Sequence, residues 1–325
     1  MIVILLSGFL LGAAGSWLIK QYGEKLGVVD IPTGRSSHSQ AIPKGAGFGI
    51  LAALLLSSLI LKIPWFVWLP SAVISLVSFW GADKHILPVS IRLLVHFGCA
   101  LFFLAFFLVS KQAGIGTYVI WLPAVVFIAG TANFFNFMDG IDGIAGVTGF
   151  LAFFLMAFYA RTSGLDPAYA SLSLVMAFSC LGFLCFNLPK ARVFLGDVGS
   201  ILLGFLFACL VIVWSENVMD FLVMAGFLAP FYMDELFTMV VRIRHKDSLI
   251  APHRKHIYQV LANEAGMNHF IISLGYGLMQ LAIGISAISV QSKGVVFLLG
   301  TYLFYGLIFG VFSFFVRRKF CANEN

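Results

Sequence analysis

Residues 117–146 read TYVIWLPAVVFIAGTANFFNFMDGIDGIAG, an apolar run that ends in two carboxamides and two carboxylates. The run from 117 to 135 has the length that spans the hydrocarbon core of a bilayer, roughly 20 apolar residues. Its end carries Asn133, Asn136, Asp139 and Asp142, three residues apart. Charge at a membrane boundary is costly, so acids gathered there point to a function. A helical or 3₁₀ turn places residues at this spacing on roughly one side. Gly140 and Gly143 let the backbone leave the helix and approach a ligand. The plain alternative is a polar loop with Asp142 as a helix N-cap.

The rest of the chain repeats the apolar pattern. Runs at about 2–20, 45–62, 65–80, 91–110, 144–160, 167–187, 200–214, 218–241, 269–290 and 294–316 bring the expectation to about eleven transmembrane helices. Of the 325 residues, 61% are hydrophobic and 10% charged, with a mean hydropathy of +1.00. These values describe an all-α, polytopic integral membrane protein forming one membrane-embedded domain over 1–325. Continuous apolar runs exclude a β-barrel, which alternates with period two. Residues 1–19 lack the charged start and small-residue cleavage pattern of a signal peptide, and read as the first helix.

Basic residues set the orientation. With the N-terminus periplasmic and the C-terminus cytoplasmic, only Lys62, Lys111, Arg161 and Lys293 of the 20 Lys and Arg residues lie outside. The net charge of +6 therefore reflects topology and anionic lipid or substrate. No basic stripe with interleaved aromatics suggests nucleic acid. Five cysteines form no metal-ligand spacing with histidine and imply no disulfide framework.

On this topology Asp30, Asp83, Asp139, Asp142, Asp197 and Asp247 fall at cytoplasmic helix ends or loops, and Asp234 and Glu235 in the cytoplasmic half of the ninth run. A transporter is expected to concentrate polar groups near the midplane. Polar groups gathered at one face favour chemistry at the membrane surface. Three further clusters share that face. Phe194-Leu195-Gly196-Asp197-Val198-Gly199-Ser200 opens the eighth run with a lone carboxylate between glycines. Hard cations such as Mg²⁺ take carboxylate and phosphate oxygens; the alternative is an N-cap at Asp197. His253-Arg254-Lys255-His256-Ile257-Tyr258-Gln259 offers cations for a diphosphate, or positive-inside decoration. No third ligand supports zinc at His253 and His256. Asp30 to His38, with Arg35, followed by Lys44-Gly45-Ala46-Gly47, suits a phosphate cradle or a solvated loop.

Taken together, the four clusters resemble the polyprenyl-phosphate N-acetylhexosaminyl-1-phosphate transferase family. The likeness runs from Asp30 to about His269 and is most specific over Asn133–Gly146 and Phe194–Ser200. Pro230, Asp234, Thr238, Arg242 and the His253–Gln259 stretch look most like the branch that primes O-antigen or capsule chains. The resemblance implies an enzyme of the bacterial inner membrane with its site on the cytoplasmic face. It implies transfer of a sugar-1-phosphate from a UDP-N-acetylhexosamine of GlcNAc, GalNAc, FucNAc or QuiNAc type. The acceptor would be undecaprenyl phosphate, and the second product UMP. It implies Mg²⁺, with Mn²⁺ as a substitute, and a homodimer.

The same resemblance implies roles for individual residues. Asp197 is the principal metal ligand, with Asp139 as ligand or acid-base group and Asn136 orienting the pair. Asp142 and Asn187 bind uracil and Phe194 stacks on it. His253, Arg254 and His256 hold the sugar-phosphate side, and Lys44, Arg35 and His38 contact phosphate. Asp83 positions or deprotonates the lipid phosphate, which is already largely ionised at neutral pH if its second pKa is about 6, as in phosphorylated side chains. One position departs from the family: Ala82-Asp83 stands where an Asp-Asp pair is usual. That leaves a catalytically inactive scaffold as a second reading, and a nucleotide-sugar transporter as a third.

Overall fold

Lipid offers no partner for backbone N–H or C=O groups, so an apolar run there must satisfy its own hydrogen bonds. Each of the runs above contains helix in the computed structural model, which describes residues 2–33, 37–83, 87–112, 121–164, 166–248 and 253–321. Ala82, Asp83 and Trp121 are described by their backbones alone.

The helices are α1 (Ile2–Tyr22), α2 (Gly47–Ile60), α3 (Trp65–Ser78), α4 (Val89–Ser110), α5 (Trp121–Phe137), α6 (Ile144–Thr162), α7 (Pro167–Asn187), α8 (Asp197–Trp214), α9 (Val218–Ala225), α10 (Ala229–Arg244), the single turn α11 (Ile257–Gln259), α12 (His269–Val290) and α13 (Val295–Phe320). Among the described residues, counting α9 and α10 as one, eight helices are long and apolar enough to cross a membrane, and three shorter apolar helices lie at 47–60, 65–81 and 122–137. The expectation of about eleven spans therefore divides by length. At 1.5 Å per residue, the 14 residues of α2 cover about 21 Å, short of a hydrocarbon core of about 30 Å. The protein is an all-α polytopic membrane protein.

The ninth run is interrupted. α9 ends at Ala225, a 3₁₀ turn covers Gly226–Leu228, and α10 restarts with Pro230 in its first turn. Proline lacks the N–H that a continuous helix would use there, and the first turn of a new helix tolerates that loss.

α8 is the centre of the bundle, apolar and buried on nearly all sides. α3 and α5 pack against it, α1 packs on α7, and α6 joins α7 to α12. α13 lies at the edge and exposes Phe304, Leu307, Val311, Phe314 and Phe315, as a lipid-facing helix does. The N-terminal ends of α2 and α8 meet closely. A Cβ on Gly47 would lie 2.3 Å from the Cα of Gly199, so only glycine permits the approach.

The polar chain between α1 and α2 contains the antiparallel pair β1 (Val29–Asp30) and β2 (Ile42–Pro43). It is tied to the loop before α8: Phe194 donates its N–H to Pro43 O and accepts from the N–H groups of Gly45 and Ala46. Segments about 150 residues apart in sequence thereby share one end of the bundle.

Candidate active site

The end of α5 and the start of α8 form the middle of the polar end. Asn136 Nδ2 donates to Ser200 Oγ at 2.8 Å. Asp139 lies one turn beyond Asn136, and Asp197 one turn before Ser200. The hydrogen bond thus brings both carboxylates to the same end of two packed helices. Gly196, at φ 74°, precedes α8, and Asp197 is its first helical residue rather than its cap. A carboxylate there faces the positive end of the helix dipole. Arg92, at the start of α4, places Nη1 3.4 Å from Asp197 Oδ2.

Behind this pair runs a buried polar chain. His96, one turn along α4 from Arg92, accepts at Nδ1 from Asn133 Nδ2 at 3.0 Å. Its Nε2 lies 3.4 Å from Ser78 Oγ. Asn133 also donates to Ala129 O at 2.7 Å. Asn133 and Asn136 are thus braced to two different neighbours, His96 on α4 and Ser200 on α8.

The turn from α5 to α6 forms one side. Gly143 has φ 86°, a left-handed conformation suited to glycine, and it is the cap of α6 in place of Asp142. Its N–H donates to Asn187 Oδ1 at 2.6 Å, while Asn187 Nδ2 donates to Val193 O at 2.9 Å. Asp142 is nearly buried, accepts from Ala191 N–H at 3.2 Å, and lies 3.3 Å from His269 Nδ1. Asp142 and Asn187, expected at a uracil, therefore sit together and brace the turn between α7 and α8.

The cradle of the N-terminal segment faces the same loop. His38 and Lys44 flank Asp30, at 3.6 Å and 4.0 Å. The His38 ring lies edge-on to Phe194, with centroids 4.9 Å apart. Phe194 is half-buried, so part of its ring stays accessible. Arg35 lies outside the described residues, and the Asp83 side chain is likewise not described. The Asp83 backbone ends a π turn, Phe79–Asp83, that follows α3.

The His253–Gln259 loop closes the end from the other side. Tyr258 donates its hydroxyl to Phe137 O, the last residue of α5, at 2.9 Å. A Cβ on Gly140 would lie 2.3 Å from that hydroxyl, so the first glycine of the Asp139–Gly143 turn makes room for Tyr258. Burial pushes the Tyr258 phenol well above its ordinary pKa, and the Asp234, Asp139 and Glu235 carboxylates add to the shift. Asp139 is thus within electrostatic reach of this loop.

The loop is anchored by a buried carboxylate on α10. Asp234 accepts from Ile257 N–H at 2.8 Å, Tyr258 N–H at 3.3 Å, Tyr276 Oη at 2.5 Å and Thr238 Oγ1 at 3.2 Å. His256, 2% exposed, lies between Asp234 and Glu235 at 3.7 Å and 3.4 Å. It was expected on the sugar-phosphate side; here its ring is packed inward against two acids. Arg254 pairs with Glu264 at 3.0 Å, and Lys255 with Asp247 at 2.9 Å. Burial, and after it the nearby His256, Arg242 and Lys255, lower the His253 pKa to about 4. His253 is therefore a neutral donor or acceptor at pH 7.

Mg²⁺ usually keeps several waters and takes one or two carboxylates plus substrate phosphates. Among the described residues no three His, Cys, Asp or Glu side chains form a preassembled cage. Asp139 and Asp197 at one end are a donor set of the kind that Mg²⁺ completes with substrate oxygens.

The sequence reading passed over Arg92, His96, His269 and Tyr276 as site residues. Their signal was present: each is polar and lies in or beside an apolar run, where such residues need partners.

The chain is thus an all-α membrane bundle with carboxylates, amides and cations gathered at one end. Residues 64–215 match the model of glycosyl transferase family 4. A probable undecaprenyl-phosphate N-acetylglucosaminyl 1-phosphate transferase of Bacillus subtilis is 27% identical over 296 residues, 86% of this chain and 81% of that protein. The undecaprenyl-phosphate alpha-N-acetylglucosaminyl 1-phosphate transferase of Thermotoga maritima is 28% identical over 297 residues, 83% and 85% of the two chains. A decaprenyl-phosphate N-acetylglucosaminephosphotransferase of Mycobacterium leprae is 32% identical over 137 residues, 38% of this chain and 33% of that one. The match and these relatives support the polyprenyl-phosphate N-acetylhexosamine-1-phosphate transferase family for this chain.

Proposed function

We propose that this protein transfers a sugar-1-phosphate from a UDP-N-acetylhexosamine to a polyprenyl phosphate, taken as undecaprenyl phosphate, at the cytoplasmic face of a bacterial inner membrane. The observation that carries this reading is the Asn136–Ser200 hydrogen bond, which sets Asp139 and Asp197 at one end of α5 and α8. An oxygen of the lipid phosphate forms a new P–O bond to the sugar-bearing phosphorus. The bond from that phosphorus to the bridging oxygen breaks, and its electrons leave with UMP.

Two anions must meet for this to happen, so repulsion has to be offset first. Asp197 and Asp139 are the residues that would hold Mg²⁺. When bound, the ion would neutralise diphosphate charge and stabilise charge developing in the transition state. Arg92 orients the Asp197 carboxylate. The half-buried Phe194 ring offers a stacking face for uracil, beside the turn that Asp142 and Asn187 brace. Lys44, His38 and Arg35 are proposed for phosphate contacts, and Asp83 for positioning the lipid phosphate. The loop carrying His253 and Arg254 forms the wall on the sugar-phosphate side, with His256 as its anchor.

The 27% identical relative over 86% of the chain supports GlcNAc as the first donor to test. Priming of O-antigen or another surface polysaccharide belongs to the same reading. The test is UMP release by the purified protein with undecaprenyl phosphate and a panel of UDP-N-acetylhexosamines, with Mg²⁺ and with EDTA. Release requiring lipid, donor and metal is expected. No release with any donor, while UDP-sugar still binds, would favour the inactive scaffold that Ala82 suggests.

A further inference from the structure

One side of α12 carries a polar stripe, His269, Ser273, Tyr276 and Gln280, at the spacing of a single helix face. Ser273, Tyr276 and Gln280 are buried and engaged. Ser273 Oγ donates to Asp142 O at 2.7 Å, and Tyr276 Oη to Asp234 Oδ2 at 2.5 Å. Gln280 Nε2 donates to Thr148 O at 3.0 Å and to Phe227 O at 2.8 Å. These bonds fix α12 against the start of α6 and against α10. His269 differs from them: it lies at the polar end of the bundle, and its side chain keeps 20% of its surface exposed.

His269 meets Asp142. Its Nδ1 lies 3.3 Å from Asp142 Oδ2, and 3.4 Å from the Asp142 backbone nitrogen. An ionised carboxylate opposite an unprotonated ring nitrogen would set two lone pairs against each other. Nδ1 therefore carries the proton and donates to Oδ2. The same oxygen accepts from Ala191 N–H at 3.2 Å. With Ser273 on the Asp142 carbonyl, the residue is held at both its backbone and its carboxylate. Asp142 Oδ1 has no partner among the described residues, and 12% of the side chain remains exposed. Such an oxygen accepts an N–H from a ligand. Uracil offers one at N3, where cytosine offers a lone pair. A site that hydrogen-bonds an N–H rejects an analogue that lacks it.

We propose that His269 sets the nucleotide specificity of this chain: it holds Asp142 Oδ2, so that Oδ1 accepts from the N3–H of uracil and disfavours cytosine. His269 acts through Asp142 and is a positioning residue. This role rests on the uracil site proposed for Asp142, Asn187 and Phe194.

The experiment is titration calorimetry of the purified full chain with UDP and with CDP, in the presence of Mg²⁺. Wild type is expected to prefer UDP. A hydrogen bond to a charged group is worth roughly tenfold to a hundredfold in binding, so His269→Ala should reduce that preference about tenfold. His269→Asn keeps an amide N–H near the place of Nδ1 and should retain most of it. Should the alanine variant unfold, His269→Phe keeps the ring, removes its nitrogens and should give the same loss. In an Asp142→Asn background, His269→Ala should cost no further preference. An unchanged preference in the alanine or phenylalanine variant overturns the proposal. An equal loss of UDP and CDP binding also overturns it, because mere loosening of the turn gives that result. A further loss beside Asp142→Asn overturns the positioning role in favour of direct contact with the base. Wild type that binds UDP and CDP equally overturns the specificity role alone; wild type that binds neither overturns the uracil site and this role with it. The readout is binding alone, so failure of UMP release leaves it unaffected.

Discussion

Arg92 Nη1 lies 3.4 Å from Asp197 Oδ2, joining residues 105 positions apart in the chain. Both side chains keep about a quarter of their surface exposed, 26% and 24%. A pair this wet contributes about 0–1 kcal/mol. Its value is orientation of the carboxylate proposed to hold Mg²⁺. Asp197→Asn is therefore expected to lower UMP release about 10²- to 10³-fold, in the range of electrostatic groups in transition states. The melting temperature should change by no more than a few degrees. A variant that keeps its turnover would remove Asp197 from the metal site.

Asp234 predicts the opposite balance. Its buried carboxylate accepts two backbone N–H groups of the 257–258 turn and the hydroxyls of Tyr276 and Thr238. Asp234→Ala leaves buried donors without an acceptor, at about 1–3 kcal/mol each. The expected result is a strongly destabilised protein whose 253–259 loop is cleaved faster by protease. Asp234→Asn keeps two acceptor lone pairs and should lose less. Equal protease sensitivity in wild type and Asp234→Ala would show that the loop is held by other contacts.

Gly140 and Tyr258 form a matched pair. A Cβ at position 140 falls 2.3 Å from the Tyr258 hydroxyl and 3.0 Å from two ring carbons. Gly140→Ala should push Tyr258 off Phe137 O and destabilise by about 1–3 kcal/mol, the usual cost of overpacking. Adding Tyr258→Phe removes the nearest clashing atom and should restore part of the loss. Thermal unfolding of the single and double variants measures the coupling. Strict additivity would mean that the two residues do not share space.

His253 makes stability depend on pH. Its pKa in the folded chain is lowered to about 4, against about 6.5 for the free side chain. Above pH 6.5 both states leave it neutral and it contributes nothing to the slope. As pH falls from 6.5 towards 4, the unfolded chain takes up the proton and the folded one does not, so stability declines; below about pH 4 the decline levels off. A His253→Gln variant should lose less melting temperature than wild type between pH 7 and pH 4.5. Identical losses would place the pH dependence elsewhere.

The polar clusters at 133–146, 194–200 and 253–259 were readable in the sequence because acids, amides and histidines are rare beside apolar runs. Their partners were less readable. Asn187 reads as a ligand-binding amide, yet it spends Oδ1 on Gly143 N–H and Nδ2 on Val193 O. His256 reads as a cation for phosphate, yet it is enclosed by Asp234 and Glu235. A polar residue's type shows that it needs a partner, and only packing shows which one.

The helical character of this chain was determined by the sequence alone. Hydropathy adds along a segment, and a backbone in lipid can satisfy itself only within that segment. The gathering of acids and cations on one set of helix ends was legible for the same local reason. Which ends meet was decided by tertiary structure. Asn136 finds Ser200, Arg92 finds Asp197 and Tyr258 finds Phe137 because particular helices pack together. That packing depends on contacts such as Gly47 against Gly199, where two backbones approach within a distance no side chain allows. Such contacts join positions far apart in the chain, so no short window of sequence contains them.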